Sequence, residues 1–181
     1  MNDLTKSEHF HKYGYVYLEN IISKETCTDF TQLMLNKREK NNLQYEKKVN
    51  AGFYNESYGG SDEVFHQLTR DLTPRLEEEL NVKMVPSGAY GRIYYNGGTL
   101  ARHVDRPSLD YTISISLFSN LKTPWPLICE DRLGNIVPLN IGIGDGGMMF
   151  GAEMNHWRDD LICGPDEYIV QLFLHWAFPT T

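Results

Sequence analysis

Thr99-Leu100-Ala101-Arg102-His103-Val104-Asp105-Arg106 is the stretch from which the fold can be read. It has the character of a β-strand. A strand alternates its faces with period two, so His103 and Asp105 turn an imidazole and a carboxylate the same way. That pair can hold two adjacent positions of one metal ion. The candidate third ligand is His156, 51 residues after Asp105, beyond a Gly144-Asp145 turn and the apolar run Met148-Met149-Phe150. Two histidines and one carboxylate on one face of an iron leave the opposite positions open for substrate and oxygen.

Working outward, the character of the chain changes at residue 82. Short runs of β-branched and aromatic residues alternate with Gly and Pro turns. They predict strands at about 83–86, 89–96, 99–104, 111–118, 126–129, 136–139, 147–151, 154–158 and 167–177. Many short strands, with helices confined to the N-terminal half, indicate an α+β, mostly β chain. Its core is a double-stranded β-helix (jelly roll) over about 82–178, with N-terminal helices from about 20–80 packed on one sheet. In such a core, strands far apart in sequence are neighbours in space. No repeat, low-complexity tract or linker divides the chain, so residues 1–181 are expected to form one domain.

In the N-terminal half, Tyr13 to Leu18 alternates and suits a first strand. His9 and His11 share that spacing and, with no third ligand nearby, read as surface histidines. Ser23 is an N-cap candidate for a helix to about Lys40, with Glu25 in its first turn. Residues 41–60 form a polar connection carrying Phe53, Tyr54 and Tyr58, either a lid over a site or a surface loop. Ser61 can cap a second helix whose apolar positions Val64, Phe65, Leu68, Leu72, Leu76 and Leu80 share a face, and Pro74 should kink or split it. His66 reads as structural or exposed.

The net charge is −7, which argues against nucleic acid as a partner. The basic run Lys37-Arg38-Glu39-Lys40, with Lys47-Lys48, is broken by acids and reads as solvated surface. Cys27, Cys129 and Cys163 are odd in number and far apart, as for free thiols in a reducing cytoplasm. No apolar run is long enough to span a bilayer, and Met1 to Lys6 lacks a signal core. A cytoplasmic protein is expected; oligomeric state is not readable.

Residues 90–178 resemble the catalytic core of the Fe(II)- and 2-oxoglutarate-dependent dioxygenases, on the prolyl-4-hydroxylase-like branch. That branch has a Tyr nine residues and a Gly six residues before the first His of its HxD motif. Tyr94, Gly97, His103 and Asp105 stand in those places, and Gly144-Asp145 and His156 match the distal part. Phe10 and Gly14-Tyr15-Val16 resemble the first strand of such enzymes. The resemblance implies Fe(II) held by His103, Asp105 and His156, with 2-oxoglutarate as cosubstrate and O2 as oxidant. It implies hydroxylation of an unactivated C–H bond, with 2-oxoglutarate decarboxylated to succinate and CO2. The resemblance implies a small molecule, an amino acid or a peptidyl residue as substrate, and iron-site resemblance does not choose among them.

One departure stands out. The family's last barrel strand usually supplies an Arg or Lys for the far carboxylate of 2-oxoglutarate, and Glu167 to Trp176 contains neither. Arg158, two residues after His156 and so on the same strand face, is the candidate replacement. Its alternative is a salt bridge with Asp159, Asp160 or another acid. Gln171 and His175 can add hydrogen bonds from the last strand, and Tyr94 can donate its hydroxyl to the cosubstrate. Arg106 reads as a group at the barrel mouth or a surface charge, and Trp125 as a wall of the entrance or a packing residue. The competing readings are a cupin-like metalloenzyme, which would need more histidines than His103, His156 and His175, and a non-catalytic metal- or ligand-binding sensor on the same fold.

Overall fold

A computed structural model describes residues 4–46 and 56–180. The barrel strands are β4 (Val85–Tyr94), β5 (Leu100–His103), β6 (Tyr111–Ser119), β7 (Leu127–Glu130), β8 (Ile136–Leu139), β9 (Gly146–Met149), β10 (His156–Arg158) and β11 (Ile169–Ala177). Before them come α1 (Lys6–Tyr13), β1 (Tyr15–Leu18), α2 (Lys24–Glu39), β2 (Gln44–Glu46), β3 (Ser57–Gly60) and α3 (Glu63–Leu80). Two sheets result, a seven-stranded one in the order β1-β9-β6-β11-β4-β3-β2 and a four-stranded one in the order β5-β10-β7-β8. The named pairings within both are antiparallel. The sheets face each other, and Arg158 of β10 reaches across to Gln171 of β11. This is the double-stranded β-helix expected from the sequence.

Helices α2 and α3 lie on the outer face of the larger sheet. Strand β6 shows how the two faces divide. Ile113, Ile115 and Leu117 alternate with Thr112, Ser114 and Ser116, and all six are buried. The apolar row belongs to the core beneath the helices. The polar row turns into the barrel, where Thr112 and Ser114 line a cavity. On β4, Gly91 permits the close approach of the helices, since a Cβ there would lie 2.7 Å from Met34 Sδ and 3.1 Å from Phe65 Cε2.

Several elements differ from expectation for local reasons. The two strands expected at 83–86 and 89–96 are one strand, β4, because Pro86 and Gly88 sit at a bulge opposite His175 and Trp176 rather than in a turn. His9 and His11 lie on a helix, α1, which Thr5 and Glu8 start with a capping box and Gly14 ends at φ 85°. Their rings bond to the carbonyls of Tyr15 and Leu80. Asp62, not Ser61, caps α3, while the Ser61 hydroxyl bonds to the Ala89 carbonyl and His66. Pro74 does not split α3, which runs unbroken from Glu63 to Leu80. Pro74 and Arg70 are both exposed, so the Arg70 carbonyl that loses its partner is on the water side. Within 41–60, β2 and β3 pair and extend the larger sheet. The remainder of that connection, with Phe53 and Tyr54 and the lid reading, lies outside the described residues.

Ser23 caps α2 as expected, its hydroxyl accepting from the Thr26 amide at 3.0 Å. No described helix is long and apolar enough to cross a membrane.

Candidate metal centre

Sheet register brings the ligands together. β10 runs antiparallel to β5 with His156 directly opposite His103, so the imidazoles lie side by side, tilted by 50° with centroids 4.3 Å apart. β5 ends at His103, and Asp105 lies just beyond it, held by its amide bonding to the Gly151 carbonyl at 2.8 Å. Asp105 Oδ1 is 3.6 Å from His103 Nε2 and 3.6 Å from His156 Nε2. One ligand atom from each of the three lies within 4.8 Å of the others. Donors bonded at about 2.1 Å to one ion stand about 3.0–3.4 Å apart, so the two Asp105–His distances need contract by only a few tenths of an ångström for a metal to join them.

The atoms are also prepared chemically. His103 Nδ1 is 2.8 Å from the Ala101 carbonyl and His156 Nδ1 is 2.9 Å from the Met154 carbonyl. A carbonyl only accepts, so each Nδ1 carries the proton and each Nε2 keeps its lone pair for a metal. Burial drives His156 below its ordinary pKa against the pull of Asp105, which favours the neutral ligand. Burial works against ionisation of Asp105, yet the neighbouring His103 and His156 imidazoles and the hydrogen bond from the Thr112 hydroxyl outweigh it and bring the carboxyl to about 2. His156 is therefore offered as a neutral imidazole and Asp105 as a carboxylate at neutral pH.

Thr112, which sequence reasoning missed, completes the site. Its hydroxyl donates to Asp105 Oδ2 and accepts from His175 Nδ1 at 2.9 Å. Oδ2 is thereby occupied and Oδ1 is the oxygen left for a metal. Burial lowers His175 to about 4, against the opposing pull of Asp105, so it is neutral. Gly151 seals the arrangement, because a Cβ there would overlap both Asp105 Oδ2 and Thr112 Oγ1. Gly151→Ala is expected to displace the carboxylate and weaken Mn(II) binding by about tenfold or more. Titration calorimetry checks this, and unchanged affinity would mean the carboxylate is not held as described.

The triad opens on a cavity of about 840 Å3. Leu100, Leu127, Met149 and Phe173 give it apolar walls, and Arg106 and His66 lie among its lining residues. Arg106 is exposed where it lines the cavity, a position compatible with both its readings. Trp125 is not on the cavity wall. It packs edge-on against Tyr94 at 4.9 Å, beneath the Arg158 guanidinium at 4.8 Å.

Arg158 is 2 % exposed and lies two hydrogen bonds behind the cavity lining. Nη2 donates to Gln171 Oε1 at 3.1 Å, which also accepts from the cavity-lining Ser114 at 3.2 Å. Nη1 donates to the Trp125 carbonyl, and buried Nε finds no acceptor. Asp159 and Asp160 are exposed, and among the described residues no acid pairs with Arg158, so the salt-bridge alternative does not hold. Burial lowers the guanidinium to about 10, against the pull of Tyr94, and it remains a cation at neutral pH. A buried cation without a counter-charge is costly unless an anion joins it. The sequence also gave no warning of Glu46 and Arg92, which line the cavity as an ion pair with Nε 2.6 Å from Oε2.

No protein-family profile matches the chain, and no curated protein matches it. Solved structures do. A prolyl-4-hydroxylase from Pseudomonas putida superposes with TM-score 0.78 at 12 % identity, covering 96 % of this chain and 97 % of that one. A prolyl hydroxylase from Trichoplax adhaerens, solved with a hypoxia inducible factor peptide, gives 0.72 at 13 %, covering 94 % and 87 %. The non-heme α-ketoglutarate-dependent epimerase SnoN from nogalamycin biosynthesis gives 0.75 at 11 %, covering 97 % and 82 %. At these identities the likeness shows a shared fold, the one that the HxD resemblance implies.

Proposed function

We propose that the protein is an Fe(II)- and 2-oxoglutarate-dependent oxygenase that hydroxylates a C–H bond of a small molecule, an amino acid or a peptidyl residue. The observation that carries this is Arg158, a buried guanidinium without a counter-charge, placed in the same barrel as a two-histidine, one-carboxylate centre. A dianionic cosubstrate with one end at the metal and the other at Arg158 satisfies both features. The fold neighbours, prolyl hydroxylases among them, support the reading.

In this reading His103 Nε2, Asp105 Oδ1 and His156 Nε2 hold the iron. Bound there, iron supplies oxygen activation coupled to decarboxylation of 2-oxoglutarate. The protein positions and excludes. Thr112 keeps Asp105 on one oxygen, the two carbonyls keep the imidazoles aimed, and the apolar walls limit water around the metal. Arg158, Tyr94 and Gln171 gather at the other end for the far carboxylate, the first two as donors. The cavity leaves room beside a five-carbon diacid for a substrate group, so substrate and cosubstrate share one chamber.

A cupin-like site would recruit His175 as a further ligand, but the donor atoms that lie within 4.8 Å of one another are those of His103, Asp105 and His156. The anaerobic protein, given Fe(II) and then 2-oxoglutarate, is expected to develop the weak visible charge-transfer band of the chelate, and His156→Ala to lose it. Tight metal binding with no band in the unsubstituted protein would sink the assignment.

A further inference from the structure

We propose that Arg92, held by Glu46, is a positioning residue that fixes the direction of the Tyr94 hydroxyl and so commits its proton to the far carboxylate of the cosubstrate. This rests on the function proposed above and assigns work to a buried ion pair that the metal chemistry does not use.

The pair is built into the cavity wall. The side chains of Arg92 and Glu46 are 6 % and 12 % exposed. The Glu46 carboxylate receives the Tyr90 hydroxyl at 2.7 Å, Arg92 Nε at 2.6 Å, Arg92 Nη2 at 3.3 Å and the Ser57 hydroxyl at 3.3 Å. Two carboxylate oxygens have about four lone-pair sites, so these donors fill it. A substrate cation would have to evict one of them, and Glu46 is therefore better read as the holder of Arg92 than as a substrate receptor.

Held this way, Arg92 turns Nη1 onto the Tyr94 hydroxyl at 3.1 Å. Arg is always a donor, so Tyr94 must accept here, and its single proton points elsewhere. Tyr94 is fully buried, and among the described residues no acceptor takes that proton. Arg158 Nε has no acceptor either. Tyr94 and Arg158 both pack on Trp125. Two buried donors without acceptors, both packed on one indole, outline a place for an anion. Register puts Arg92 opposite Gln171, which itself bonds to Arg158, so the groups lie at one level of the barrel.

The test is a double-mutant cycle on anaerobic 2-oxoglutarate affinity, read from the chelate band of the Fe(II)-loaded protein. It is run in an E46Q background, so that removing Arg92 leaves no stranded carboxylate. There Y94F is expected to weaken 2-oxoglutarate about tenfold. R92Q should weaken it about three- to tenfold when Tyr94 is present and less than twofold together with Y94F. R92K in the otherwise unsubstituted protein keeps a charge beside Glu46 but lacks the fork that reaches Tyr94, and should show the same loss. That variant carries the test if the E46Q series folds poorly. Fe(II) affinity should stay constant throughout. Equal losses from R92Q with and without Tyr94, or no loss in R92K, would overturn the proposal and leave the function reading intact. Absence of the band in the unsubstituted protein would overturn both.

Discussion

Arg158→Met is expected to weaken 2-oxoglutarate about 100-fold or more while leaving Fe(II) affinity unchanged. The guanidinium touches none of the three ligands, and its bonds run to Gln171 and the Trp125 carbonyl. Methionine fills a similar length and suits the indole of Trp125, so the site should stay packed. What disappears is a buried cation that, among the described residues, has no acid beside it. Each hydrogen bond to a charged partner contributes about 1.5–3 kcal/mol, and a forked guanidinium can make two to one carboxylate. Arg158→Lys keeps the charge but not the fork, and should fall between, about tenfold weak. Two measurements report it, the cosubstrate titration of the chelate band and the shift in Tm on adding 2-oxoglutarate to the metal-loaded protein, which should vanish in the methionine variant. If affinity holds, Arg158 is a structural cation and the clamp lies elsewhere.

Asp105→Asn is expected to weaken Fe(II) or Mn(II) about 100-fold or more. The change is nearly isosteric, so the effect isolates charge. In the native site the carboxyl is ionised far into acid, with its pKa at about 2. An amide oxygen at the same place brings no negative charge to the cation. Its nitrogen would also have to face Thr112, whose hydroxyl now donates to Oδ2, and that would reverse the direction of the Thr112–His175 link. Losing one member of a buried charged cluster costs about 3–5 kcal/mol, beyond a factor of 100 in affinity. Calorimetry under anaerobic conditions gives the number. An affinity within threefold of the unsubstituted protein would remove Asp105 from the ligand set.

Much of this was legible in the chain. His103-Val104-Asp105 announced a shared face, His156 a partner brought back by sheet folding, and Arg158 the same face again. The structure brings all of them into one barrel, together with Tyr94 and Gln171. What stayed hidden is hidden for physical reasons. Thr112-Ile113-Ser114-Ile115-Ser116-Leu117 alternates cleanly, and the ordinary inference sends its polar row to water. Here that row is buried, because the inside of the barrel is a binding chamber while helices cover the outside. Periodicity reports that two faces differ, not which one is solvated. Glu46 and Arg92 are 46 residues apart and meet only through the β2–β3–β4 pairing, which short strands of three and four residues in a polar stretch do not signal. Asp105 falls beyond the end of β5, so its aim depends on Gly151 rather than on the strand period that suggested it.

The place of β11 in the larger sheet bears on how the barrel is made. It lies between β6 and β4 and is the join between β1-β9-β6 on one side and β4-β3-β2 on the other. It follows every other described strand in sequence. Neither half can satisfy its inner edge until this segment docks, although the three candidate ligands are already present in the preceding chain. Barrel closure is therefore a long-range event, with the loop-closure entropy of distant pairing to overcome, and belongs to the slow, high-contact-order class of folding reactions. Until it is complete, β4 and β6 present open hydrogen-bonding edges, the surfaces through which partly folded β-proteins associate with one another.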